Sequence, residues 1–88
     1  MSLSKHVIFG IHITDRIKHV DPVQHVLTEY GCSIRTRLGL HDADEKFCSP
    51  NGLLLLELVG NMDSHGDMFN KLNSIEGVEV QKMVFDHP

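Results

Sequence analysis

The chain of 88 residues is 41% hydrophobic and 23% charged and has a formal net charge of −4, values typical of one globular domain, which we place at residues 1–88. A negative charge without a basic cluster argues against nonspecific nucleic-acid binding, and no apolar run approaches the ~20 residues that span a membrane. The N-terminus has no basic segment followed by an apolar one, and there are only two cysteines, so we expect a cytoplasmic protein.

The first elements along the chain are a strand and a helix. Residues 7–14 place apolar side chains at every second position, which predicts a strand. Asp21 and Pro22 favour the start of a helix, with Asp21 as its N-cap and Pro22 at its first position. Gly31 stands where a left-handed residue commonly ends a helix. Between these signals, a buried stripe is predicted at helical spacing: Val23, Val26, Leu27 and Tyr30.

The middle of the chain predicts two further strands separated by a polar loop. Residues 32–40 alternate regularly, with Arg35 and Arg37 on one face, which we expect to lie opposite the helices. A polar segment, residues 41–52, ends in Ser-Pro-Asn-Gly and predicts a loop. Residues 53–59 are nearly all apolar and predict a buried strand, although four leucines also fit the start of a helix.

The last part of the chain predicts a second helix and a final strand. Asp63 or Ser64 fits the N-cap of the helix, and Gly77 fits its end. Residues 78–85 predict the strand. The apolar stripe of this helix contains Met68, Phe69, Leu72 and Ile75.

The order β-α-β-β-α-β predicts the α+β ferredoxin-like fold, a four-stranded antiparallel sheet with two helices on one face. The usual strand order places the first and third strands at the centre, and these are the most apolar strands here. Both carry apolar side chains on their two faces, whereas the helices can cover only one face. We therefore predict a homodimer or tetramer that associates through the sheet.

The second strand contains the best candidates for binding a small molecule. Arg35 and Arg37 lie two residues apart, and two guanidinium groups at that spacing can bind a carboxylate or a phosphate. The alternative interpretation is an edge strand protected from aggregation by its charges, with Glu57 as a partner on the next strand.

The loop after this strand contains the best candidates for a metal site. His41 and Cys48 lie near its two ends, with Asp42, Asp44 and Glu45 between them. A thiolate, an imidazole and a carboxylate suit a transition metal such as Zn, Ni or Fe, with a further ligand from another subunit. The alternative is a solvated acidic loop with a packed cysteine, in which case the protein holds no cofactor.

Catalytic motifs are scarce in this sequence. We find no glycine-rich phosphate loop, no nucleophile elbow and no pair of carboxylates in an apolar frame. A small enzyme on the same fold remains the third hypothesis, and we expect a binding domain instead.

Residues 34–58 and the closing segment 76–80, together with the Arg-x-Gly segment at Arg37 and Gly39, carry a resemblance to a known family. The chain resembles the small stand-alone regulators of iron-only hydrogenase systems, which are ferredoxin-like and related to ACT domains and to the effector domain of nickel-responsive repressors. The resemblance implies a regulatory domain for an anaerobic metal-enzyme system that assembles through its sheets.

The likeness to nickel repressors extends only in part to the residues of this chain. Those repressors take nickel with alternating histidines on the second strand, where this chain has Arg35 and Arg37. They also bind DNA through an additional arm that this chain lacks. We therefore expect a ligand-sensing domain that binds a small anionic metabolite or amino acid at a subunit interface, with Arg35, Arg37 and Gly39 as contacts. Metal binding at His41 and Cys48 is the alternative.

Overall fold

The computed structural model describes residues 4–40, 52–60 and 62–87. The described residues form an antiparallel four-stranded sheet in the order β2-β3-β1-β4, with two α-helices packed on one of its faces. Neither of these helices is long and apolar enough to cross a membrane. The elements in chain order are β1 (Ser4–Ile13), α1 (Arg16–Glu29), a short 3₁₀ turn (Gly31–Ser33), β2 (Ile34–Leu40), β3 (Gly52–Leu58), α2 (Met62–Asn73) and β4 (Val78–His87).

The strand order follows from the apolar content of each strand. Residues 7–13 of β1 pair with β3 on one side, and the whole of β1 pairs with β4 on the other. The central positions of β1 and β3 confirm the prediction and with it the ferredoxin-like βαββαβ fold. The interpretation of 53–59 as a strand is also confirmed, because β3 covers Gly52–Leu58.

The core lies between the sheet and the helices. Alternate residues of β1 face the helices, and each is at most 3% exposed: Val7, Phe9, Ile11 and Ile13. The predicted helix stripes close the core from the other side, with Val23, Val26 and Leu27 on α1 and Met68 and Leu72 on α2. Period-two and period-3.6 patterns therefore meet along one apolar layer.

The start of α1 differs from the prediction. The helix begins at Arg16, and Asp15 is its N-cap with a left-handed φ of 51°. Asp21 and Pro22 lie inside the helix instead of at its first turn. Proline favours the first helical position because its missing N–H is not needed there. Here Pro22 removes one hydrogen bond from within the helix, and the helix nevertheless extends across it.

The end of α1 also differs from the prediction. The C-cap is Tyr30, and its N–H donates to Val26 O at 3.1 Å. Gly31 does not adopt a positive φ; it opens the 3₁₀ turn, in which Ser33 N donates to Tyr30 O at 2.9 Å. This turn takes up Cys32, so that β2 begins at Ile34.

An ion pair joins the two helices at their exposed surfaces. Lys71 Nζ on α2 donates a hydrogen bond of 2.7 Å to Glu29 Oε2 on α1 and lies 5.1 Å from the centroid of the Tyr30 ring. The hydrogen bond to Glu29 raises the pKa of Lys71 above its ordinary value, and Tyr30 adds to the effect. Both side chains are about half exposed, and water screens such a pair, so it contributes little to stability.

Candidate ligand site on β2 and the open face of the sheet

A β-bulge in β2 decides where its arginines lie. Ile34 pairs with Leu58, whereas Thr36 already pairs with Glu57, so one additional residue of β2 is accommodated at Arg35. A bulge of this kind reverses the faces of all residues that follow it. Beyond the bulge, Arg37 pairs with Leu56, which is fully buried on the helix side of the sheet.

Arg37 therefore lies on the helix side, and the predicted position opposite the helices is wrong. Its Nη1 donates a hydrogen bond of 2.9 Å to Gln24 Oε1 on α1. Both side chains remain accessible to solvent. Among the described residues Arg37 has no carboxylate partner. A guanidinium group has five N–H donors, so most of them stay available to a ligand.

Gly39 lies two residues further along β2 on the same side as Arg37. A Cβ atom at this position would lie 3.4 Å from Leu54 Cδ2. Gly39 therefore lies close against Leu54, on the same side of the strand as the guanidinium group of Arg37. Arg35, within the bulge, is exposed. Its guanidinium group could contact an anion. The bulge, however, gives Arg35 no pairing partner on β3, whereas Arg37 pairs with Leu56.

Glu57 does not serve as the partner of these arginines. It lies on the opposite side of the sheet from Arg37, where Thr36 Oγ1 donates a hydrogen bond of 2.9 Å to its Oε1. His6 Nε2 lies 3.8 Å from its Oε2. The charge of Arg37 is therefore not neutralised by the neighbouring strand.

The predicted metal ligands His41 and Cys48 lie outside the described residues. Within the described ranges, no group of three or more His, Cys, Asp and Glu residues is arranged to hold a metal ion. Cys32 is a free, exposed thiol. His6 and His12 both lie on β1 and face the same side of the sheet.

The side of the sheet away from the helices, called the open face below, is covered by no described element. Four of its large apolar side chains are exposed by 37–52%: Leu38, Leu53, Met83 and Phe85. The described side chains of this face are those of Thr36 and Leu38 on β2, Leu53, Leu55 and Glu57 on β3, His6, Ile8 and His12 on β1, and Glu79, Gln81, Met83 and Phe85 on β4, and Gly10 on β1 lies among them.

A shallow cavity of about 330 Å³ lies near the centre of the open face. Gly10 forms its floor, since this residue has no side chain to fill the space between Leu55 and Gln81. The rim is polar, and Gln81 Nε2 donates a hydrogen bond of 2.9 Å to Glu79 Oε2. His12 and Leu53 complete the lining.

His65 is the buried polar residue that the sequence reasoning did not single out. It is 4% exposed on α2, and its Nε2 donates to Val59 O at 2.9 Å. Its Nδ1 is buried without a hydrogen-bond partner among the described residues. The helical spacing of His65 with Met68 and Leu72 could have identified it, because those residues mark the buried stripe.

No protein-family model matches the chain, and no curated protein does so at a significant level. Solved structures do match. An uncharacterized protein from Thermotoga maritima has a TM-score of 0.79 and 26% sequence identity, with 93% of this chain and 99% of that chain covered. The resemblance to hydrogenase-system regulators thus stays a prediction.

Two further proteins share the fold at lower identity. The ACT domain from the GTP pyrophosphokinase of Chlorobium tepidum has a TM-score of 0.66 and 19% identity over 93% of this chain and 100% of that chain. CPII, a nitrogen regulatory PII-like protein from Thiomonas intermedia bound to ADP, AMP and bicarbonate, has a TM-score of 0.59 and 10% identity over 99% of both chains. These similarities establish an ACT-like, ferredoxin-like fold for the chain.

Proposed function

We propose that this chain is a regulatory, ligand-sensing domain, not an enzyme, and that it associates with a second copy of itself through the open face. The observation that carries the proposal is the exposure of Leu38, Leu53, Met83 and Phe85 on one side of the sheet. Helices protect only the other side. Exposed apolar groups on one continuous surface favour association, because burial removes them from water.

The composition of the open face suits contact with an identical surface. A two-fold interface brings each patch against its own copy, so the patch must be complementary to itself. The open face combines exposed apolar side chains with a shallow cavity lined by Leu53 and by the polar residues His12, Glu79 and Gln81. An apolar side chain of one copy can enter the space above Gly10 of the other, while the polar rim stays paired.

The ligand is a small anion held at β2. Arg37 supplies a guanidinium group oriented by Gln24, Gly39 adds no side chain on the same side of β2, and Arg35 adds a second positive charge nearby in sequence. Regulatory proteins with this fold support the class of ligand, since CPII is bound to ADP, AMP and bicarbonate. The bulge places Arg37 and the open face on opposite sides of the sheet. Ligand binding and self-association are therefore separable.

Native mass spectrometry of the untagged protein tests the association, with Met83→Lys as the disrupting variant and Val84→Lys as its control. Met83 and Val84 are adjacent on β4 and are 51% and 40% exposed. They face opposite sides of the sheet, because Met83 pairs with Ile8 and Val84 with Val7. A lysine on the open face would place a charge inside the interface.

We expect a dimer or tetramer for the wild type and for Val84→Lys, and a monomer for Met83→Lys. A monomeric wild type at high protein concentration would refute the proposed interface. Equal dissociation by the two lysine variants would show that the association does not use the open face.

A further inference from the structure

A cleft on the helix side of the sheet, at the opposite edge from Arg37, belongs to none of the features above. It lies between α2 and strands β1 and β4 and encloses about 300 Å³. Apolar side chains form its walls, among them Phe9, Phe69 and Val84. The rings of Phe9 and Phe69 meet edge to face, with centroids 5.7 Å apart. Such a volume with apolar walls suits a small organic molecule.

Gly66 opens this cleft on the side of α2. It lies in the interior of the helix, where glycine is less favourable than alanine. A Cβ atom at Gly66 would meet nothing within 4 Å, so no contact in the described chain requires a glycine. Because Gly66 lines the cleft and has no side chain, it leaves this part of the cleft open.

Lys82 supplies a positive charge to the cleft from β4. Its Nζ lies 5.2 Å from the centroid of the Phe69 ring. This cation–π contact holds the ammonium group against the apolar wall. Among the described residues Lys82 forms no ion pair with a carboxylate, so its charge is available to an anionic group of a ligand.

His65 contributes a fixed ring to the same cleft. Its ring lines the cavity and is fixed by the hydrogen bond from Nε2 to Val59 O. With Nε2 as the donor, a neutral imidazole has an acceptor at Nδ1, and that atom has no partner among the described residues. The fixed ring thus forms a rigid part of the wall against which the apolar body of a ligand can pack.

From these features we infer that the cleft is a second binding site, separate from the proposed site on β2, for a small carboxylate with an aromatic or branched apolar body. The apolar body would lie between α2 and the sheet against Phe9 and Phe69. The carboxylate would pair with Lys82 at the surface. A purely polar anion such as bicarbonate would leave the apolar walls without contact.

An NMR titration of the isotope-labelled protein with 3-phenylpropanoate tests this inference, and 3-phenylpropanamide is the uncharged control. We expect chemical shift changes at amides of residues 62–70 and 82–84, and binding about two- to fivefold weaker for the amide, which lacks the charge that pairs with the exposed lysine. Lys82→Gln should weaken binding of the carboxylate by about the same factor, and Lys82→Arg should retain it.

Two substitutions at Gly66 test the space itself. Gly66→Leu should fill the cleft and abolish the titration, whereas Gly66→Ala should leave a folded protein of raised thermal stability that still binds. No shift changes with millimolar 3-phenylpropanoate, equal binding of the amide, or full binding by Lys82→Gln would overturn the inference. Shift changes confined to residues 35–39 would also overturn it, while supporting the separate site on β2.

Discussion

The two faces of the sheet share the same strands but differ in what covers them. On β1, Phe9 and Ile11 face the helices and are at most 1% exposed. Ile8 and His12, their neighbours along the strand, face the open side, where Ile8 is only partly buried and His12 is exposed. The open face is nevertheless apolar at several positions, and this is unusual for a face left to solvent.

The alternation of apolar and polar residues along a strand does not by itself decide which residues stabilise the monomer. The helix side obtains its stability within one chain, because two helices remove its side chains from water. The open side also carries apolar residues, and no element of the described chain covers them. Its contribution to stability should therefore appear only on association, and so depend on protein concentration.

The largest effect that tests this comparison is the loss of a side chain from β3 on each face. Leu56 is fully buried against the helices, whereas Leu53 on the same strand is 37% exposed on the open face. Leu56→Ala should lower the free energy of unfolding by about 2–5 kcal/mol, through lost burial and the cavity left behind. Leu53→Ala should cost less than about 1 kcal/mol in dilute protein. Urea denaturation measures both.

The dependence of these two costs on protein concentration distinguishes the two faces further. If copies associate through the open face, the cost of Leu53→Ala should rise as the protein concentration rises, because the wild type gains stability from association. The cost of Leu56→Ala should stay constant. An equal cost for the two substitutions at every concentration would contradict the difference between the faces.

A smaller effect concerns the ligand site, which the bulge places on the helix side. Arg37→Gln should weaken the binding of a small anion by about tenfold or more, since a hydrogen bond to a charged group contributes about 1.5–3 kcal/mol. AMP and bicarbonate serve as probes in isothermal titration calorimetry. Arg37→Lys keeps the charge but loses the planar group, so it should lie between the wild type and Arg37→Gln.

Met83→Lys provides the control for this measurement. It disrupts the open face on the other side of the sheet, so a monomeric Met83→Lys protein should bind the same probes as tightly as the wild type. Loss of binding in this variant would mean that the ligand site lies at the interface between copies, as the sequence alone predicts. Unchanged binding by Arg37→Gln would remove Arg37 from the site.

Much of the fold could be predicted from the sequence because its patterns are local. Four alternating apolar residues on β1 identify a central strand, and the stripes on α1 and α2 identify their buried sides. The predicted end of the second helix at Gly77 is wrong, because α2 ends at Asn73; Gly77, with a φ of 80°, lies immediately before β4. The apolar residues on both faces of β1 and β3 also indicate the open face, although they do not identify the molecule that covers it.

The position of Arg37 could not be predicted, because no residue in β2 marks the bulge. A bulge depends on pairing with the neighbouring strand, here at Ile34 and Thr36, and strand alternation in the sequence continues across it unchanged. The start of α1 was likewise hidden, since Pro22 carries a strong preference for the first turn and tertiary packing overrides it. His65 was missed because histidine is common at surfaces, although its spacing with Met68 fits the buried stripe.

The smallest expected effect compares a glycine on each face. At Gly10 on the open face, a Cβ atom would lie 3.8 Å from Leu55 Cδ2 and 4.0 Å from Gln81 O, which is ordinary contact; at Gly39 on the helix side it would lie 3.4 Å from Leu54 Cδ2. Gly10→Ala should therefore raise the free energy of unfolding of the monomer by a few tenths of a kcal/mol, because alanine loses less backbone entropy. Gly39→Ala should gain less, since the Leu54 side chain must move to make room for the methyl group.

The same Gly10→Ala should weaken association, because a methyl group fills the cavity that receives the second copy. A more stable monomer that associates more weakly would tie the space above Gly10 to the interface, and unchanged association would separate the two.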